Sequence, residues 1–386
     1  MTDMRGQVDE GFGAVADAFA ANFAEHGDVG AGFSLYTDGK LVVDLTGGSF
    51  DAAGKQPYDE SALQLVFSTT KGAAAICAAI LHERGELDYG APVSQYWPEF
   101  AANGKGDLSV AWMMSHRCGL ISVDNVPSFD DVMAVDPIVE ALAAQAPLWE
   151  LDGRHGYHAL TYGWLVGELV RRVSGQRIGA FFQQNVAQPL GLDFWIGLPE
   201  DQESRVSPLL AMPAPTDPVS SELMLAVIGP GTMGGRALSL DGAFDIGGDE
   251  NPFNTRAVHA SEIPAANGIT NASSLARMYA ATVGEVDGVR LINDTTRETA
   301  SAPVTTGNDK CLVFETKFGM GFMTYDGVLP LAGPRSYGHS GAGGSLGYAD
   351  PDLGIGYGYV MNQMGGSLVG DPRTLGLTEA VKTCLS

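Results

Sequence analysis

Residues 8–26 alternate apolar and polar positions at helical spacing, which predicts an opening amphipathic helix. Two strand-like runs follow, GFSLYT and KLVVDLTGG, joined by Asp38-Gly39, a dipeptide that favours a tight hairpin turn. An extended run from Leu63 to Phe67 leads into STTKGAAAICAAILHERG. That segment is alanine-rich and apolar on nearly every face, so a buried helix is expected, with Ser68 or Thr69 near its start and Gly85 ending it. From 85 to 200 the patterns are helical and broken by Pro and Gly, as in AWMMSH, DPIVEALAAQ, LTYGWLVGELVRRVSG and IGAFFQQNVAQPLG. The stretch 200–265 is rich in Pro, Gly and Met without sustained periodicity, and reads as an irregular pocket wall. A helix capped by Asn271 follows. Strand signals (FGMGFMTY, GHSGAGGSLGYADP, GIGYGYVMN) then dominate up to a closing helix over about 372–384.

Strands at both ends with helices between them predict an α/β protein of the α+β type. Its antiparallel sheet, flanked by helices, is built from both termini and carries an inserted, mainly helical domain. A chain of 386 residues is long enough for two units. The expected boundaries are 1–75 with 265–386 for the sheet domain and 76–264 for the insertion, with any functional site between them.

Charge narrows the partners. A formal net charge of −24 argues against nucleic acid and anionic membrane surfaces. Only seven of the 22 basic residues are Lys, an acidic, lysine-poor balance that fits life in salt and that solubility alone would also explain. The N-terminus lacks a basic region followed by a continuous apolar stretch, and no eighteen apolar residues run together, so a cytoplasmic location is the default expectation. Cys77, Cys118, Cys311 and Cys384 are scattered and form no C-x-x-C pair. They read as reduced and mostly buried, with no metal site and no disulfide framework. His155 and His158 lack a carboxylate at ligand spacing and read as loop or supporting residues. His116 reads as ending a helix and complementing its dipole. Trp97, Trp112, Trp164 and Trp195 read as core, and Met212, Met224 and Met233 as the lining of an adaptable apolar pocket.

The chemistry starts at Ser68-Thr69-Thr70-Lys71. Positions i and i+3 share a helix face, so the amine can reach the Ser oxygen. Burial and the helix N-terminus both disfavour its charged form, and a neutral lysine can accept the Ser proton. A purely structural role, with Ser68 capping and Lys71 solvated, fits poorly because this helix has almost no polar face. Tyr157, in the glycine-flanked DGRHGYHALTYG, and His339-Ser340-Gly341, on a late strand, are ordinary taken singly. Gly343-Gly344-Ser345-Leu346-Gly347 satisfies G-x-S-x-G, but that elbow needs a following helix and a later His. Here another strand signal follows and no His occurs after His339, so Ser345 is assigned to a tight turn.

Together, Ser-x-x-Lys, the mid-chain Tyr and a basic-x-Gly triplet resemble the serine β-lactamase and penicillin-binding-protein superfamily. The chain looks most like its class C β-lactamase-like esterases, the family VIII carboxylesterases. LDYGAPVSQYWPEF, MMSHRCGL and GHSGAGGSLGYADPDLGIGYGYVMN extend the likeness over nearly the whole chain. The resemblance implies Ser68 as the acylated nucleophile, Lys71 as its base, and Tyr157 as the carrier of the proton to the leaving group. It implies the backbone N–H groups of Ser68 and Ala342 as the oxyanion hole, and His339, Ser340 and Gly341 as substrate-binding. It implies no cofactor. Two departures carry the substrate argument. Ala159 stands where β-lactamases have an Asn that binds the substrate's amide, and His339 stands where they have a Lys that meets a carboxylate. A histidine is mostly neutral at pH 7, so uncharged small esters are the expected substrates. β-Lactam, D-amino peptide or acyl-transfer chemistry on the same fold, and a non-catalytic binding relative, stay open.

Overall fold

The computed structural model describes residues 3–386 except 213–217, 230, 245–250, 325–330 and 367–369, and except the side chains of 218–221 and 223. Thirteen strands are described: β1 Met4–Val8, β2 Gly30–Thr37, β3 Lys40–Gly48, β4 Leu63–Leu65, β5 Phe194–Trp195, β6 Val206–Ser207, β7 Ile269–Thr270, β8 Thr305–Asn308, β9 Glu315–Phe318, β10 Met323–Thr324, β11 Tyr337–Ser340, β12 Leu346–Asp350 and β13 Ile355–Met361. The β2–β3 hairpin turns at Asp38 and Gly39 with φ of 47° and 74°, both left-handed as this turn requires. Nine strands form one antiparallel sheet in the order β1-β3-β2-β13-β12-β11-β10-β9-β8, so β13 lies directly against β2.

The alternation in GIGYGY explains how this sheet is covered. Tyr357 and Tyr359 pack on one face with Phe33, Leu35 and Tyr348, under Val15 and Phe19 of the Gly13–Glu25 helix and Leu377 and Val381 of the Pro372–Leu385 helix. Gly356 and Gly358 point to the other face, where any Cβ would strike the backbone of the Ala272–Val283 helix. Small residues on that side let a helix lie directly on the sheet. Asn271 caps this helix, accepting from Ser274 N–H at 2.8 Å.

The structure corrects several readings. The first helix begins at Gly13, and the residues before it form β1, a largely exposed edge strand whose polar pattern hid it. A second sheet, ordered β5-β7-β4-β6, was not foreseen, because strands of two or three residues carry no periodicity. The stretch expected to be irregular contains the helices Pro218–Ile228, Met233–Ser239 and Arg256–Ala260. Two of these are too short to show a periodic face; residues 213–217, 230 and 245–250 of this stretch lie outside the described residues, as does Tyr325 of the FGMGFMTY run. Trp97 and Trp164 are fully buried, but Trp112 and Trp195 are only partly so. All four cysteines are free, and Cys77, Cys118 and Cys311 are buried. Among the described residues no helix is long and apolar enough to cross a membrane.

Candidate active site

Ser68 sits in a single 3₁₀ turn, Phe67–Thr69, between β4 and the Thr70–Glu83 helix. Phe67 has φ of +44°, a costly conformation for an aromatic residue, and neighbouring bonds hold it there. Val66 N–H donates to Gly268 O at 2.9 Å and Gly268 N–H donates to Thr70 Oγ1 at 2.8 Å. Thr70 Oγ1 itself donates to Phe67 O at 2.5 Å. The Ser68 turn is thus locked to Gly268 on one side.

Lys71 follows on a helix whose residues Thr70 to Leu81 are all buried. Its Nζ reaches Ser68 Oγ at 3.0 Å, Ala159 O at 2.7 Å and Ala265 O at 3.0 Å. Burial pushes its pKa well below the ordinary lysine value. Carbonyl oxygens only accept, so in the neutral amine the two N–H bonds go to Ala159 and Ala265. The nitrogen lone pair is then left facing the Ser68 hydroxyl. The same Nζ lies 4.8 Å from the centroid of the Tyr157 ring.

Tyr157 is buried against Phe318, with centroids 6.0 Å apart and rings nearly parallel, and against His116 and His339 at 5.1 and 5.9 Å. His339, on β11, accordingly comes to the same place. Its Nδ1–H donates to Ser340 O at 2.7 Å, while Nε2 is buried and finds no hydrogen-bond partner among the described residues. Burial, with Lys71 nearby, pushes its pKa down to about 3, so the ring is neutral.

β11 runs into a tight turn, Gly341 to Ser345, that touches the Ser68 turn directly. Ser345 Oγ donates to Val66 O at 2.8 Å and lies 3.0 Å from Thr69 Oγ1. A Cβ on Gly341 would collide with both Val66 O and Ser345 Oγ. The G-x-S-x-G serine is therefore a buried tie between two turns, followed by β12 rather than by a helix. Arg373 braces the same turn from beneath, donating to Gly343 O and pairing with buried Asp28 at 2.8 Å and Asp371 at 2.6 Å. Ser68, Ser340, Gly341 and Ala342 are partly or fully exposed, whereas Lys71, Tyr157 and His339 are buried, so the site opens along the Ser68–Ala342 edge.

His116 corrects the helix-dipole reading. It follows the Val110–Met114 helix with φ of +64° and is fully buried, and its Nδ1 accepts from His158 N–H at 3.1 Å. Burial and the neighbouring histidines and Lys71 hold its pKa well down. His158 is also a neutral supporting ring: Nδ1–H donates to Gly156 O at 2.7 Å and Nε2 accepts from Leu120 N–H at 2.9 Å. Met233 packs against the cluster holding Tyr157 and Ala159, Met212 packs on the main core, and Met224 is half-buried on the Pro218–Ile228 helix. Asp309 was not anticipated. Buried in the turn between β8 and β9, its Oδ1 accepts from Tyr157 N–H at 3.0 Å, a contact across 152 residues that no local pattern signals.

Comparison with known proteins agrees with this architecture. Esterase/beta-lactamase LipL of Mycobacterium tuberculosis is 35% identical over 94% of this chain and 84% of its own length. The crystal structure of a family VIII carboxylesterase superposes with a TM-score of 0.87 at 36% identity, covering 99% of this chain and 100% of that one. A penicillin-binding protein homologue from Caulobacter crescentus does so with a TM-score of 0.86, also at 36% identity and with the same coverage. The β-lactamase family matches residues 15–380. With a match of that extent, the chain belongs to the β-lactamase family.

Proposed function

We propose that the protein is a serine hydrolase that cleaves small, uncharged carboxylic esters through an acyl-Ser68 intermediate. The observation that carries this reading is the placement of Lys71 Nζ, with two carbonyls taking its N–H bonds and Ser68 Oγ at 3.0 Å on the remaining side. In this reading the Lys71 lone pair takes the Ser68 proton as Oγ attacks the ester carbonyl. The backbone N–H groups of Ser68 and Ala342 stabilise the oxyanion; paired donors of this kind are worth a few kcal/mol. Tyr157, beside Lys71, carries the proton to the departing alkoxide, and the alcohol leaves. Water then attacks the acyl-enzyme, its proton returning through Tyr157, and the carboxylic acid is released with Ser68 restored.

His339, Ser340 and Gly341 form the substrate-binding edge. A neutral His339 offers no cation to a substrate carboxylate, which favours neutral esters over β-lactams. LipL is named both an esterase and a β-lactamase, so slow lactam turnover is the second reading, measurable with a chromogenic cephalosporin. The site lies between the sheet unit, 1–75 with 265–386, and the helical unit, 76–264. Free thiols at all four cysteines suit a reducing, cytoplasmic setting.

Hydrolysis of short-chain nitrophenyl esters tests the assignment, with mass spectrometry of the trapped acyl-enzyme locating the acyl group. Ser68→Ala is expected to abolish turnover and acylation. Acylation of Ser345, or full activity in Ser68→Ala, refutes the proposal.

A further inference from the structure

We infer that Asp309 is a positioning residue for Tyr157, and that the turn between β8 and β9 thereby sets the rate of the proton-transfer steps. This rests on the reading of Tyr157 given above.

Tyr157 lies outside any helix or strand, so no regular ladder of hydrogen bonds fixes its backbone. Three consecutive amides are tied instead to groups from elsewhere. Gly156 N–H donates to His116 O at 3.2 Å, Tyr157 N–H to Asp309 Oδ1 at 3.0 Å, and His158 N–H to His116 Nδ1 at 3.1 Å. The Tyr157 ring packs on those of His116 and Phe318. Of the three ties, the one at Tyr157 itself goes to a carboxylate, and hydrogen bonds to a charged acceptor are roughly twice as strong as neutral ones.

Asp309 is built to hold that amide. Its Oδ1 also accepts from Cys311 N–H at 2.8 Å and Leu312 N–H at 3.0 Å, which closes its own turn. Oδ2 accepts from Thr316 Oγ1 at 3.2 Å. The Thr316 hydroxyl has one hydrogen, so its oxygen is an acceptor for His155 Nε2–H at 2.8 Å. Lys310 N–H then donates to His155 O at 3.1 Å. Residues 155 and 157 are thus gripped on both sides of Gly156, where a Cβ would crowd Trp149, Cys311 and Lys310. A carboxylate shared by three amides and a hydroxyl transmits any shift of the β8–β9 turn to the phenol beside Lys71.

The test is a double-mutant cycle on ester hydrolysis. Asp309→Ala is expected to lower kcat by about tenfold to a hundredfold, the scale on which ångström-sized misplacement acts, with KM changed by less than about threefold. Asp309→Asn keeps an acceptor oxygen and is expected to recover most of the loss. In a Tyr157→Phe background, Asp309→Ala is expected to cost nothing further, because coupled residues are non-additive. A merely structural role gives additive losses in the double variant. That outcome, or unchanged kcat in Asp309→Ala, overturns the inference while leaving the role of Tyr157 intact. Full activity in Tyr157→Phe alone refutes the Tyr157 reading and this inference with it. Should Asp309→Ala not fold, Asp309→Ser, whose hydroxyl is too short to span to Tyr157 N–H, enters the same cycle with the same expected outcomes.

Discussion

Lys71 Nζ and Ser68 Oγ stand 3.0 Å apart with the amine's other two directions closed by the carbonyls of Ala159 and Ala265. The amine is fully buried, and its pKa is depressed for that reason. Between the folded-state pKa and the ordinary lysine value near 10.4, the unfolded chain binds the extra proton. Stability then rises with pH in that window, by up to about 1.4 kcal/mol per pH unit for one group. The stability of the wild type minus that of Lys71→Met is therefore expected to grow from pH 6 to pH 9, measured by urea unfolding. A difference that is flat or falls with pH would show that Lys71 is charged in the folded protein.

His339 gives a separate acid-side signature. Its folded pKa of about 3 lies below the free value of 6.5, so stability is complete above 6.5 and falls as pH drops towards 3. His339→Gln is expected to flatten the acid limb of the unfolding curve by up to one proton. The ring stays neutral from pH 5 to 9, so it adds no limb to the activity profile over that range.

The tie at Ser345 separates stability from chemistry. Ser345→Ala removes one of two donors to Val66 O, leaving Thr69 N–H at 3.2 Å, and is expected to cost about 0.5–1.5 kcal/mol, with Ser68 still labelled by a fluorophosphonate probe. Gly341→Ala is expected to cost both. Its Cβ would force the two turns apart, so activity is expected to fall about tenfold or more and the melting temperature to fall with it, by more than in Ser345→Ala.

Arg373 holds two buried carboxylates as well as Gly343 O. Arg373→Met leaves Asp28 and Asp371 without their cation and is expected to destabilise the protein by about 3–5 kcal/mol. Chemical denaturation measures this, and a loss below 1 kcal/mol would mean that water reaches the pair.

The legible parts of the sequence were those with local chemistry. Asp38-Gly39 declared a hairpin, Asn271 a helix cap, and the polar Ser68 and Lys71 stood out against an apolar helix. Tyr157 and His339 became readable only as members of a set, since a lone aromatic or histidine has many uses. Asp309, His116 and Arg373 were not legible, because each acts on residues far off in sequence and its own neighbourhood looks ordinary. β1 and the small second sheet escaped because they are edge-like or very short. The G-x-S-x-G turn shows the converse: a strong local pattern whose serine is spent on holding the backbone together.

The order of strands in the large sheet bears on how the enzyme comes into being. Ser68 and Lys71 are synthesised in the first fifth of the chain, yet the strand that completes their surroundings, β11, pairs with β12 and through it with β13, which closes against β2. Arg373, which steadies the turn after β11, is made later still. A ribosome-bound chain therefore carries Ser68 and Lys71 for most of translation without β11 and Arg373 in place. Pairing of the late strands with the early ones is long-range closure, the slow event in folding.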